Sequence, residues 1–428
     1  MAAAAADLPN WVMLERFVFR RDDAASFRED KRTTAASVTS TGVPFRISFI
    51  LADPPTPSRL YISFPGGAGP KDDGVAACHL VSAHRNLVLL RLDILLTRAQ
   101  FGPFAHDYFV YIAGHPSQPM PALKLLPAPM RRSFCVEQPL PRPFEPAAVG
   151  LLCHGDQEFT VAYLAIRRGP EARLDTELWV LHSSIQSSST GGNNWEIKHI
   201  PIHCKVDERS DLFYWGTNAV VPFKNSLCWV NYSQGVLICD GVSGDSPRVS
   251  YIRFPMDSSS RNMRKELYRS LCVTEGGEQL ELVDVAREDG EGLGRVAPCN
   301  GFTISRWKAR ATVNDRLGWF DNVVVSAEEL WKLNTPENLP RELMLIPLGS
   351  MDKANAVHVV LYDWAPVIGN LSLVTIDLET KKTLSSVVVY IRGVEDLSSD
   401  DGDMVRLKRY CFAHFLPSEF PKFLHLDQ

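Results

Sequence analysis

Thiols and imidazoles fall close together three times in this chain: Cys78 with His79 and His84, Cys153 with His154, and His203 with Cys204. Such groups could ligate zinc, or an imidazole could take the proton of a nucleophilic thiol. A structural zinc site needs paired ligands at short fixed spacing and a second pair downstream. The spacing of Cys78, His79 and His84 matches no such pattern, and no second cysteine pair is near it. A nucleophilic Cys–His arrangement needs partners brought together in space, which adjacency in sequence does not supply. These residues are therefore read as buried or strand-edge positions.

Other motifs fail on a named residue. Gly241-Val242-Ser243-Gly244-Asp245 lacks the final glycine of a nucleophile elbow and lies between two strands rather than before a helix, so it reads as a hairpin loop. In Gly290-Glu291-Gly292-Leu293-Gly294 the third glycine falls one position short of the dinucleotide fingerprint, and no helix follows. In Gly66 to Lys71, Pro70 stands where a phosphate loop needs its second glycine, and Asp72 replaces the Mg²⁺-binding Ser or Thr. The acidic run Glu395 to Asp403 lacks the ligand order and distant Glu of a calcium loop, and reads as a solvated segment. Nine Trp and eleven Tyr could stack on sugars, but Trp179, Trp195, Trp229, Tyr251 and Trp307 sit in strand patterns, where core packing is their ordinary role. The sequence assigns no catalytic, cofactor-binding or metal-ligating residue, and predicts no cofactor.

The 428 residues, 45% hydrophobic and 22% charged, have the composition of a soluble globular protein with ample material for a large core. A net charge of −5 gives no positive field to hold phosphate backbones, so nucleic acid is not an expected partner. The nine cysteines are odd in number and scattered, at 78, 135, 153, 204, 228, 239, 272, 299 and 411, which argues against a disulfide framework or a zinc ribbon. The N-terminus lacks the basic and apolar regions of a signal peptide, and no stretch approaches the roughly 18 apolar residues of a membrane span. The expected setting is a reducing intracellular one, cytoplasm or nucleus, with no membrane partner. The sequons at Asn231 and Asn370 are then chance matches.

What positions these residues is a β-pattern that recurs. An apolar run ending in proline appears at Lys124 to Pro127, Lys198 to Pro201 and Ile252 to Pro255. Strands are predicted over 11–19, 45–51, 60–64, 87–92, 109–112, 159–166, 177–182 and 195–200. A compact group of four follows at 218–222, 227–232, 236–240 and 249–254, the size of one propeller blade. Further strands are predicted at 270–274, 280–285, 302–307, 357–362, 371–378 and 384–391. The turn Ser233-Gln234-Gly235 is read as placing a glycine where a tight hairpin needs positive φ. Short helices are predicted at about 260–269 and after Ser326, where Glu329 completes a capping box. The fold expectation is all-β, a β-propeller-like ring of about five or six irregular blades, the alternative being packed antiparallel sheets. Residues 1–10 are read as disordered, 11–428 as the propeller-like domain, and the proline-dense 116–146 as a connection.

Several segments resemble a plant family, expanded in grasses, defined by the domain of unknown function 1618. They are Trp11 to Phe19, Leu227 to Tyr232, Gly235 to Asp240, Gly301 to Trp307, Glu329 to Leu333 and Leu339-Pro340-Arg341. The resemblance covers nearly the whole chain and implies a defined core at about 205–350, but it transfers no site residues and no activity. The family is distantly similar to propeller-like domains that follow F-boxes. Leu8-Pro9-Asn10-Trp11 resembles an F-box start, but the helical pattern that should follow is missing. The expected role is a non-enzymatic module binding a protein partner through its loops. The alternative is an enzyme or carbohydrate-binding protein, with residues such as His84, His154 and Asp240 converging at a channel mouth.

Overall fold

The computed structural model describes residues 8–67, 78–95, 104–114, 120–133, 136–155, 157–168, 174–183, 195–256, 265–288, 301–311, 317–362, 370–391 and 415–424. The predictions at 1–7, 290–294 and 395–403, and Cys135, Cys299 and Cys411, lie outside these residues.

Most of the chain repeats one pattern, an antiparallel meander of four strands, from which the first and sixth units depart. The first unit holds β1 (Val12–Arg20), β2 (Ala35–Val38), β3 (Pro44–Ile50) and β4 (Ser58–Ser63). The second is β5 (Cys78–His84), β6 (Leu87–Leu95), β7 (Phe104–Ile112) and β8 (Ala122–Leu125). A separate hairpin, β9 (Met130–Ser133) with β10 (Val136–Pro141), follows inside the proline-dense segment. The third unit is β11 (Val149–Cys153), β12 (Phe159–Arg168), β13 (Leu174–His182) and β14 (Glu196–His203). The fourth is β15 (Ala219–Phe223), β16 (Ser226–Asn231), β17 (Gly235–Asp240) and β18 (Arg248–Arg253). The fifth is β19 (Arg269–Thr274), β20 (Gln279–Arg287), β21 (Phe302–Ala311) and β22 (Leu317–Ser326). The sixth is β23 (Leu343–Gly349), β24 (Ala356–Tyr362), β25 (Leu371–Asp377), β26 (Lys382–Thr383) and β27 (Val388–Ile391). Two helices are short: α1 (Arg209–Leu212) and α2 (Ala327–Leu333).

The chain then returns to its beginning. The last strand, β28 (Leu416–Ser418), pairs antiparallel with β1, whose other edge pairs parallel with β4. The first and last described strands thus lie in one sheet, ordered β2-β3-β4-β1-β28. Apolar clusters then join each unit to the next. Phe45 and Phe49 meet Phe109 and Tyr111 between units one and two. Leu89 and Val110 share a cluster with Leu151 and Trp179, and that cluster runs on to Trp229 and Leu237 in unit four. Cys228 and Ile238 pack with Leu271 and Leu282 between units four and five. Val283 and Val325 pack with Val357 and Leu373, and the same cluster reaches Trp11, Met13 and Phe19 of unit one. Six units in a closed circuit, sealed by the pairing of the first and last described strands, make a six-bladed β-propeller-like ring.

Burial explains the strand chemistry. The middle strands of a blade are covered on both faces, so β16 and β17 read as near-continuous apolar runs. Outer strands face solvent on one side, so β18 alternates. The recurring proline-ended runs fall on β8, β14 and β18 and the residues after them, the fourth strands of three successive blades. Pro127 and Pro255 lie just past the ends of β8 and β18, and Pro201 precedes the point at which β14 meets β18, so none interrupts a ladder between outer strands. The hairpins leaving the innermost strands share a conformation. Arg85 and Lys224 take φ of 52° and 53° in the turns after β5 and β15. Glu275 and Asn355 do the same after β19 and β23, at 52° and 65°.

The helix after Ser326 forms as predicted. The Glu329 N–H donates to Ser326 Oγ at 3.3 Å, and the Ser326 N–H donates to Glu329 Oε2 at 3.0 Å. Of the helix predicted at 260–269, residues 260–264 lie outside the described residues, and the rest forms a 3₁₀ turn, Lys265–Leu267, before β19 starts at Arg269. Gly235 is also corrected. It is absent from the positive-φ positions. Its hydrogen is required instead because a Cβ there would lie 2.3 Å from the Ile252 carbonyl oxygen of β18.

Candidate functional site

Two of the spaces among the described residues differ in character. On the axis, Ala83, Val220, Leu271, Leu348 and Leu416, from the innermost strands of five blades, surround a cavity of about 100 Å³. That is room for about three water molecules and is below the ~300 Å³ at which small-molecule pockets begin. Polar side chains line it, notably Arg16, His84, Arg85 and Tyr232.

The second space is a groove of about 950 Å³ between blades four and five. Ile238, Asp240, Arg248 and Ser250 line one wall, and Gln279, Ala309 and Ala311 the other. Nearer the axis the same two blades pack an apolar cluster that includes Leu271 and Leu280. The groove walls also carry polar side chains, and beside them the Trp319 indole of β22 donates to the Arg253 carbonyl of β18 at 3.1 Å. Asp240 Oδ1 accepts from Ser226 Oγ at 2.6 Å, and Arg248 stands opposite Asp240 in the β17–β18 register. Gln279 Nε2 donates to the Ala309 carbonyl at 2.9 Å, which fixes the far wall. The exposed pair Lys224–Glu278, at 3.2 Å, crosses between the blades at the inner end of the groove. An apolar floor under a hydrogen-bonding rim, open along its length, is suited to an extended polypeptide.

The residues singled out in the sequence do not share a site. His84 lines the axial cavity, Asp240 lines the groove, and His154 lines neither. His84 Nδ1 accepts the Cys153 N–H at 2.9 Å, and burial, followed by Arg85 and His154, pushes its imidazole down to about 4. His79 and His106 both meet the carboxylate of Asp93, at 3.2 and 2.7 Å, in an ion cluster that also includes Arg91. His203 lines the groove beside half-buried Cys204. Cys78, Cys153, Cys228, Cys239 and Cys272 are buried free thiols. Burial raises the Cys78, Cys228, Cys239 and Cys272 thiols, Cys239 to about 12, so these four are inert hydrophobes rather than nucleophiles. No cluster of three or more metal-ligating side chains occurs among the described residues.

One contact was invisible in sequence. Ser243 Oγ lies 2.8 Å from His154 Nε2, which also meets Thr160 Oγ1 at 2.8 Å. A hydroxyl beside an imidazole is half of a nucleophilic constellation. The other half is missing: among the described residues no carboxylate hydrogen-bonds to His154 and orients it. Thr160 passes the chain on to His182 Nδ1 at 3.0 Å, so the contacts tie the turn after β17 to blade three. The sequence reading also missed Arg16, Arg248 and Gln279. Arg16 alone carried a signal, a charged residue inside an apolar strand.

The quoted family segments have structural work. Trp229 is fully buried, and its Nε1 donates to the Ala148 carbonyl at 2.8 Å, tying blade four to blade three. Trp331 packs edge-on against Phe302 with ring centroids 5.7 Å apart, and the Arg341 guanidinium covers its face at 5.2 Å.

Comparison with known proteins adds a family and a likeness. Residues 229–358 match the model of a family described as a protein of unknown function, DUF1618. No curated protein matches the chain. Among solved structures, the chain is similar to the β-propeller domain of Nup133 from Vanderwaltozyma polyspora. That likeness has 11% sequence identity and a TM-score of 0.38, and it covers 83% of this chain and 76% of that one. No helix among the described residues is long and apolar enough to cross a membrane. The matched residues 229–358 run from β16 through β24, so the likeness to the domain of unknown function 1618 family spans blades four and five and the start of blade six.

Proposed function

We propose that this protein is a non-enzymatic protein-interaction module of the plant cell interior, taking an extended segment of its partner in the groove between blades four and five. The observation that carries the reading is the contrast in volume. The groove offers about 950 Å³ and the axial cavity about 100 Å³, so a peptide fits the first and neither a sugar nor a nucleotide fits the second. The buried, raised thiols support a reducing compartment. Scattered His84, His154 and Asp240 give the competing enzymatic reading no common site.

The test is affinity capture from plant extract with the wild-type chain and with a Ser250→Arg, Ala311→Arg variant, which places a long side chain on each wall of the groove. A stoichiometric partner should come down with the wild type and fall at least ten-fold with the variant, with the circular-dichroism spectrum unchanged. Equal recovery by both proteins would refute the groove as the binding surface.

A further inference from the structure

We infer that the axial cavity is a binding site for one small oxyanion, a phosphate or carboxylate group, held by Arg16 and Arg85 with the His84 imidazole.

The lining carries the argument. Its charged side chains are Arg16, Arg85 and Lys224 against one carboxylate, Glu419. Glu419 is itself engaged, accepting from Lys422 Nζ at 2.6 Å, and Lys224 is offset by Glu278 at 3.2 Å. The field inside the cavity is therefore positive, with low-dielectric walls that concentrate it. Arg16 lies deep in the protein and still keeps open surface, which places that surface on the cavity it lines. Its Nη1 donates to the Leu80 and Val81 carbonyls at 3.0 and 3.2 Å, so the guanidinium is fixed in orientation by neutral acceptors of β5. A guanidinium fork held in place is suited to an oxyanion.

His84 is set as a donor. Its Nδ1 already accepts the Cys153 N–H, so the neutral ring carries its proton on Nε2. Burial and the nearby Arg85 depress its basicity, and burial depresses that of Arg16. The about 100 Å³ of space suits one tetrahedral or planar anion and excludes anything with a sugar attached.

The competing account makes Arg16 a clamp between β1 and β5 and nothing more. Thermal unfolding of the full chain in inorganic phosphate, in acetate and in chloride at matched ionic strength separates the two. The expected result is a saturable rise in Tm at millimolar phosphate or acetate beyond that in chloride. Arg85→Gln, an exposed turn position, should fold normally and weaken the apparent affinity at least ten-fold, and Arg16→Gln should abolish the effect. Should Arg16→Gln fail to fold, the Arg85 variant and ³¹P line broadening by the wild type decide. Response to phosphate alone, or to acetate alone, assigns the group. No saturable rise beyond chloride, or the same rise in Arg85→Gln, overturns the inference.

Discussion

Blade four has two flanks, and they are built differently. Toward blade three it is sealed. The end of β14 pairs parallel with β18 at Ile202–Val249 and His203–Ser250, so the two blades form one eight-stranded sheet. The Trp229 indole reaches across to the Ala148 carbonyl. Gly150 lets the innermost strands close up, since a Cβ there would lie 2.6 Å from Val220 Cγ1. Toward blade five no backbone ladder joins the two sheets among the described residues; side chains make the contact, through the apolar cluster, the exposed Lys224–Glu278 pair, Arg269 Nη1 on the Tyr232 carbonyl at 2.7 Å and the Trp319 indole on the Arg253 carbonyl at 3.1 Å, and the groove opens between them. β22, the outer strand of blade five, pairs only with β21 among the described residues and exposes Phe320 and Val324. One sheet is thus anchored by backbone hydrogen bonds on one flank and left available on the other. A rigid flank beside an open one is how a ring can offer a binding edge without loosening its core.

The sealed flank should dominate stability. Trp229→Ala removes a fully buried indole and leaves the Ala148 carbonyl without its donor, and should cost about 3–5 kcal/mol in denaturant unfolding. A loss below about 1 kcal/mol would show that the seal is not structural.

Acid should act on the same half of the ring. The His84 imidazole lies at about 4 in the folded protein against an ordinary 6.5, because burial, and after it the charges of Arg85 and His154, disfavour the protonated ring. A base depressed by folding stabilises above its unfolded value, and that contribution is lost as pH falls through the folded one. Unfolding measured from pH 7 to pH 4 should therefore lose up to about 3 kcal/mol from this group, the loss starting near pH 6.5. His84→Gln should flatten that limb; an unchanged pH profile in the variant would assign it elsewhere.

Gly150→Val overpacks the seam and should cost about 1–3 kcal/mol. Lys224→Ala, on the open flank, should change stability by less than about 1 kcal/mol, since both partners of its ion pair are exposed. If the two substitutions cost the same, the difference between the flanks is not energetic.

The sequence made part of this contrast legible. The middle strands of blade four were read from unbroken apolar runs, which burial on both faces produces. The prolines ending three outer strands were found as a repeat before their place in the blade was known. Innermost strands were harder to read. β11 is five residues long, and β23 carries Pro347 beside Ile346, whose φ is 51°, at a break in register. Short or irregular segments give too few residues for a period to show. The groove left no signal, because its walls come from Ser226 to Ile252 and from Glu278 to Leu317, and only blade packing sets them face to face. The axial arginine could have been suspected from Glu15-Arg16 in the middle of Trp11 to Phe19, where two charges interrupt an apolar strand.

Hydrogen–deuterium exchange on the complex with the captured partner tests the central claim most directly. Binding in the groove predicts added protection in β17, β18, β21 and the start of β22, with β11 to β13 unchanged. Protection confined to blade three or to the turns at the axis, with β18 and β21 unaffected, would contradict it.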